Sequence, residues 1–299
     1  MAEATNFNIN SKKFVKNFKT NSDNVLSICI LNDGRIATST FGEIVIYNLE
    51  KNQRDMEINE NIEEVSHLFE MSSGYLFSSA CEECIIYEIK ENTYEIIQKL
   101  GGIDGDTSKS YELNNGDIIT LSRGIYIFSK DPALNQYSLS KTIEEDEFLN
   151  DVIQVNDDKI IISSSADKNL KVWNINDWSE YKTINDVSVA SYHDCLYKKD
   201  EFNLIVGGNK EIYLIDLKEF IVKKKFKNDY EVFNICPISE SIFLTLGNEG
   251  IITQWKYNDN DIKKEHEKDK ISDEECLCMK YIKDGRILIG SSKNVIILE

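Results

Sequence analysis

A residue that closes an apolar strand returns along this chain at Tyr47, Tyr87, Phe128, Trp173, Ile215, Trp255 and Ile297. The interval stays at about 40 to 45 residues, the mark of a repeat architecture. A turn signal precedes each of them: Asp33-Gly34-Arg35, Ser73-Gly74-Tyr75, Asn115-Gly116-Asp117, Asp157-Asp158-Lys159, Lys199-Asp200-Glu201, Ser239-Glu240-Ser241 and Asp284-Gly285-Arg286. Several of these carry the Asn, Asp and Gly chemistry of tight hairpins. Two independent landmarks therefore keep one period, and units of roughly 42 residues account for nearly all of the chain. Between the landmarks Ile, Val and Tyr fall at alternating positions, which favours strands over helices.

Four short strands per unit at this period are what a blade of a β-propeller requires. The expected fold is all-β: one seven-bladed propeller domain over 1–299, with four antiparallel strands in each blade. The blades are expected at about 22–60, 61–102, 103–144, 145–185, 186–228, 229–270, and 271–299 together with 10–20. The last unit stops at Leu298-Glu299 without a fourth strand, and Lys12 to Phe18 supplies one of the right character. The N-terminal strand should thus complete the seventh blade, burying Phe14 and Phe18 and removing an exposed sheet edge. The polar stretch from Asn258 to Lys270 is where the final strand of the sixth blade reads most poorly, with a mobile loop as the alternative.

The stretch Ile160 to Ile175, IIISSSADKNLKVWNI, carries the strongest local motif. It resembles the hairpin of the WD-repeat family, in which an apolar strand, a Ser-Gly-Ser end, a turn aspartate and a second strand lead to Trp-Asp. Here Ser163-Ser164-Ser165, Asp167 and Trp173-Asn174 stand at the matching places, and the motif survives in part around Trp255. The resemblance implies structural roles for Asp167, Trp173 and Trp255, and a platform for protein partners. It departs from the family in its histidines. None of His67, His193 and His266 stands where the family's buried histidine would complete a hydrogen-bonded set with the turn aspartate, a strand Ser or Thr, and the tryptophan.

Composition narrows the chemistry. Seven cysteines, an odd number without an apolar leader in MAEATNFNINSKK, point to reduced thiols and a cytoplasmic or nuclear setting. No apolar run approaches the roughly eighteen residues of a membrane span. A net charge of -18 argues against nucleic acid and against anionic membranes as partners, and leaves room for a basic protein. Four arginines scattered over different blades (Arg35, Arg54, Arg123, Arg286) do not form the clustered forks that phosphate recognition favours.

Cys81-Glu82-Glu83-Cys84 has the spacing of a metal or redox pair, but Cys276-Cys278 belongs to a distant blade and the glutamates would raise the thiol pKa values. Neither Ser163-Ser164-Ser165 nor His193-Asp194-Cys195 has a base and an orienting group in register. No cofactor, no metal and no catalytic residue is expected. The chain is expected to be a monomer on its own or a part of a larger complex; the alternative functions are a structural subunit and an enzyme with its site at the channel mouth.

One distribution points to binding. In a propeller the loops entering each innermost strand share a face, the top, with the turns between second and third strands. The entering loops here are acidic in every blade, and the candidate partner-binding residues are Asp23, Glu63, Glu64, Asp106, Glu144, Glu145, Glu147, Asp229, Glu231 and Glu274. Opposite turns are balanced by Arg35, Lys159, Lys198, Lys199, Lys283 and Arg286. An acidic ring around a channel mouth would steer a Lys/Arg-rich segment toward it.

Overall fold

The computed structural model describes residues 7–20, 24–60, 63–164, 166, 168–189, 194–247, 250–268 and 270–299. Apart from a single 3-10 turn at Ile9–Ser11, every regular element among them is a β-strand. The strands form five antiparallel sheets of four and one of seven. The seven-stranded sheet is two blades joined without a loop. The strand Ile221–Pro237 pairs through its first half with Asn209–Asp216 and through its second half with Ile242–Gly247, so it is the outer strand of blade five and the inner strand of blade six. Counted this way there are seven blades of four strands.

The N-terminal strand Phe14–Lys19 is hydrogen-bonded to the last strand, Asn294–Leu298, with Phe14 opposite Leu298 and Phe18 opposite Val295. It forms the outer strand of the seventh blade. Seven apolar clusters lie at the seven junctions between blades. One of them joins Val25, Ile28 and Tyr47 of blade one to Cys278, Leu288 and Ile297 of blade seven, so the ring is continuous where the ends of the chain meet. Only half of the expected anchoring is present, however. Phe18 is buried against the Tyr47 ring, with centroids 4.6 Å apart, whereas Phe14 is paired through its backbone and leaves its side chain 60% exposed. A strand paired along one edge needs only one face covered, and Phe14 falls on the other side of a register shift between Phe14 and Lys16.

The period read from the sequence is the period of inter-blade packing. All seven strand-closing residues, Tyr47, Tyr87, Phe128, Trp173, Ile215, Trp255 and Ile297, are buried in these clusters. Burying each such side chain contributes roughly 2 kcal/mol, and the contribution recurs at every junction. The first hairpin of blades one, two, three and seven closes in one way: Gly34, Gly74, Gly116 and Gly285 take φ between 83° and 102°, and each N–H donates to the carbonyl three residues earlier. A side chain is strained at that φ, which is why glycine recurs there. Blades four to six lack the glycine and turn on side chains: Asn156 Oδ1 accepts from Asp158 N, Asp200 Oδ1 from Phe202 N, and Ser239 Oγ from Ile242 N.

The stretch before Lys270 that reads poorly as a strand is the outer strand of blade six, Asp261–Lys268, paired with Ile252–Asn258. Its alternate exposure reflects an outer strand with a single covered edge, where polar residues cost nothing. Asp229 and Glu231 differ from expectation. They lie inside Ile221–Pro237, not in an entering loop, because blades five and six share that strand. Glu144 likewise ends the outer strand Gln136–Glu144, opposite Gly124.

Candidate functional site

The loop faces are fixed by hydrogen bonds. At each junction the turn between second and third strands bonds to the backbone that enters the next blade: Gly42 N to Glu63 O (2.9 Å), Glu82 N to Gly105 O (3.1 Å), and the N–H groups of Glu145, Val187, Val232, Ile271 and Val25 to Arg123, Lys168, Gly208, Gly250 and Ser291. These contacts build one continuous top surface around the bore.

The candidate acids divide on that surface. Glu145 is paired with Lys171 Nζ at 2.5 Å. Glu274 accepts from Ser291 Oγ (2.9 Å) and Asn294 Nδ2 (3.0 Å), so it caps the hairpin of blade seven. Asp229 faces Lys264 at 3.9 Å on the rim. Glu144 ends the outer strand of blade three and Glu231 lies within Ile221–Pro237 opposite Asn209; neither they nor Glu147 line the mouth cavity. Asp23 and Asp167 lie outside the described residues. Glu63, Glu64 and Asp106 behave differently: they converge on a cavity of about 420 Å³ at the mouth, together with Phe41 and Phe148, which are 58% and 37% exposed. None of the three carboxylates forms an ion pair among the described residues. Burial, and then the charge of Asp106, raise the Glu64 carboxyl above its ordinary range.

Below the mouth lies a group of residues that the sequence reading did not select. Asp194, at the start of the inner strand of blade five, binds Lys109 Nζ of blade three at 2.5 Å and Lys280 Nζ of blade seven at 2.8 Å. Lys109 also binds Asp151 of blade four at 2.8 Å, and Asp151 Oδ2 accepts from Leu196 N at 2.9 Å. Blades three and seven are not neighbours, so this chain of ions crosses the bore. Burial alone would raise Asp194, but Lys109, Lys280 and then His67 hold its carboxyl well below the usual range. Burial would lower Lys109 and Lys280; the carboxylates carry both above the ordinary lysine value. Inner strands bulge just before His67, Asp151, Asn234 and Cys278. Such an extra residue re-aims the side chains that follow it. The signal available in the sequence was a set of polar residues at inner-strand depth, one blade apart: His67, Lys109, Asp151 and Asp194.

Blade support uses a substitute for the family's histidine. In blade six Trp255 Nε1 donates to Thr245 Oγ1 (2.9 Å), which also meets Tyr230 OH (2.9 Å), and that hydroxyl donates to Thr253 Oγ1 (2.5 Å). The position two before the strand-closing residue ties down the entering loop elsewhere: Tyr126 OH accepts from Asp104 N (3.0 Å), Tyr213 OH from Ser188 N (3.1 Å), and Lys171 holds Glu145. Trp173 is buried between blades three and four. Different chemistries thus do one job, which is why a single motif was visible in only one blade.

Cys84 begins the third strand of blade two, buried, with its thiol 3.7 Å from Thr120 Oγ1. Cys81 sits at the cavity rim. A hydrogen bond to Asp106, then burial, push the Cys81 thiol up to about 11; burial pushes Cys84 up to about 12. Neither is poised as a thiolate. Among the described residues no group of three or more His, Cys, Asp or Glu is placed to hold a metal ion.

No protein-family model matches the chain. Over 149 residues, 48% of its length, it is 28% identical to the putative BTB/POZ domain and WD-repeat protein R783 of Acanthamoeba polyphaga mimivirus. That match spans 27% of the viral protein. Among solved structures it is similar to the WD40 repeats of RRP9, with a TM-score of 0.79 at 12% identity over 95% of this chain and 96% of that one. U3-55K superposes with a TM-score of 0.78, also at 12% identity, over 95% and 98% of the two chains. In fold, the chain is a seven-bladed propeller of the WD-repeat type.

Proposed function

We propose that the ring is a non-enzymatic platform for protein partners, and that a Lys/Arg-rich segment docks on its top face at the channel mouth. The observation that carries this reading is the contrast among the acids. Glu145 and Glu274 are engaged by their own blades, while among the described residues Glu63 and Glu64 have no ion pair or side-chain hydrogen bond and Asp106 meets only the Cys81 thiol, around a cavity flanked by two exposed phenylalanines. Unpaired carboxylates in a concave, partly desolvated mouth focus potential and speed the arrival of a cation, and aromatic rings supply contact area once it arrives. The docking surface is therefore narrower than a full acidic ring and centres on blades one to four.

The test is binding of a fluorescein-labelled Lys-Ser repeat peptide to the purified chain, followed by anisotropy across a salt series. Charge reversal at Glu63, Glu64 and Asp106 should weaken binding by at least about tenfold and flatten its salt dependence. Reversal at Glu147 and Asp229 serves as the control and should change little. Equal losses from both sets would leave a diffuse acidic surface in place of a site, and unchanged binding from the first set would refute the reading.

A further inference from the structure

We infer that the mouth cavity is a blind cup that takes one long cationic side chain, a lysine or arginine of the partner, inserted head-first from the top. This rests on the reading that a basic segment docks there, and it adds the depth, the chemistry and the orientation of the contact.

The cup has a floor because the Lys109–Asp194–Lys280 chain crosses the bore beneath it, so a segment cannot thread through and must stop on that layer. Two acceptors stand on the floor. Asp194 keeps part of its carboxylate at the cavity, and Asn234, on the inner strand of blade six, is 1% exposed and reaches Asp194 only through a 3.4 Å contact from its Nδ2. Its Oδ1 has no donor among the described residues. A buried carbonyl without a partner costs roughly 1–3 kcal/mol, so a donor brought to it is rewarded. Leu26, Leu277 and Cys278 give the wall apolar surface for a methylene stem, beside the polar Ser27, Ser66, His67 and Thr107. The rim carries Glu63, Glu64 and Asp106. The two lysines of the floor, Lys109 and Lys280, are matched by Asp151 and Asp194, and an anion would face three carboxylates on entry.

Acceptors at the bottom, carbon in the middle and negative charge at the lip match an alkyl chain that ends in a cation bearing N–H groups. The floor needs those N–H groups. A trimethylated ammonium keeps the charge and the stem but has no hydrogen to give to Asn234, and a urea head of the same length has hydrogens but no charge.

The experiment titrates the full chain, followed by NMR, with Nα-acetyl-lysine amide, Nα-acetyl-arginine amide, Nα-acetyl-trimethyl-lysine amide and Nα-acetyl-citrulline amide. The lysine and arginine amides should bind about tenfold more tightly than the other two, the scale of one charge-assisted hydrogen bond left unmade. Asn234→Leu should erase the preference for lysine over trimethyl-lysine while leaving the salt dependence of the Lys-Ser peptide unchanged. Cys81→Trp, at the partly exposed rim, should fill the cup and abolish binding of all four amides without altering charge; it carries the test if Asn234→Leu does not fold. Equal affinity for lysine and trimethyl-lysine, or full binding by Cys81→Trp, overturns the cup. If the Glu63, Glu64 and Asp106 reversal still releases the Lys-Ser peptide in that event, docking at the top face survives without it. If neither the amides nor the peptide bind the wild-type chain, both readings fall.

Discussion

Replacing Asp194 by Asn tests how much the layer across the bore contributes to the stability of the ring. Asparagine is the appropriate change because Asp194 takes a φ of 61°, which Asn tolerates better than most residues. The backbone is therefore left alone and only the charge is removed. Lys109, whose side chain is 10% exposed, would keep Asp151 at 2.8 Å, while Lys280, 35% exposed, would lose the one carboxylate that pairs with it among the described residues. Breaking a fully buried pair from one side costs about 3–5 kcal/mol, and the surviving Asp151 contact together with the water that reaches Lys280 brings this case to about 2 kcal/mol. For a chain of this size that corresponds to a fall in melting temperature of about 4 °C at pH 7.

The pH dependence carries the sign. The Asp194 carboxyl is held below its unfolded value, so its contribution is fully present above about pH 4 and is lost as pH falls through the depressed folded value. Melting curves of the wild type and Asp194→Asn should therefore stand apart at pH 7 and draw progressively together as pH falls below about 4. Removing the stranded cation as well, in Asp194→Asn with Lys280→Met, should recover part of the loss, a coupling that a double-mutant cycle reads directly. A variant that melts within about 1 °C of the wild type at pH 7 would refute the reasoning. So would a gap that persists unchanged into acid.

The closing strand should respond unequally to two substitutions that look alike in sequence. Phe18→Ala removes a buried ring at the junction of blades seven and one and should cost about 3 kcal/mol in urea denaturation, with faster amide exchange in Asn294–Leu298; Phe14→Ser should stay within about 0.5 kcal/mol. Equal effects would mean that backbone pairing alone closes the ring. In blade six, Thr245→Val strands Trp255 Nε1 and one bond of Tyr230, and should lower stability by about 2 kcal/mol in the same assay. A neutral Thr245→Val would deny that this chain replaces the missing histidine.

The ring was legible because its period is a packing period. Tyr47, Phe128 and Trp255 can be stepped through by eye since each must be apolar to seat against the neighbouring blade. Gly34, Gly74, Gly116 and Gly285 were legible for a different reason, the positive φ that their turn imposes. What escaped was set by pairings between blades. Nothing near Lys109 in the chain announces Asp194 and Lys280, because the bore brings together residues 85 and 86 positions apart. Blade six misled because Asp229 and Glu231 look like loop residues, and only the absence of any break in Ile221–Pro237 reveals a shared strand. For the acids, composition identified negative charge on the loops but could not tell Glu145, which meets a lysine on the third strand of blade four, from Glu64, which meets none among the described residues.

The strand Ile221–Pro237 also sets the mechanics of the ring. Fourth and first strands are separate pieces at every other junction, but blades five and six are made in part from one rod of backbone and must tilt together. Any widening of the mouth to admit a guest must then come from the other junctions, among them those of blades one to four, where the rim carboxylates and the two phenylalanines stand. The jointed side of the circle is the side that can yield, and the welded side is the anvil against which it closes.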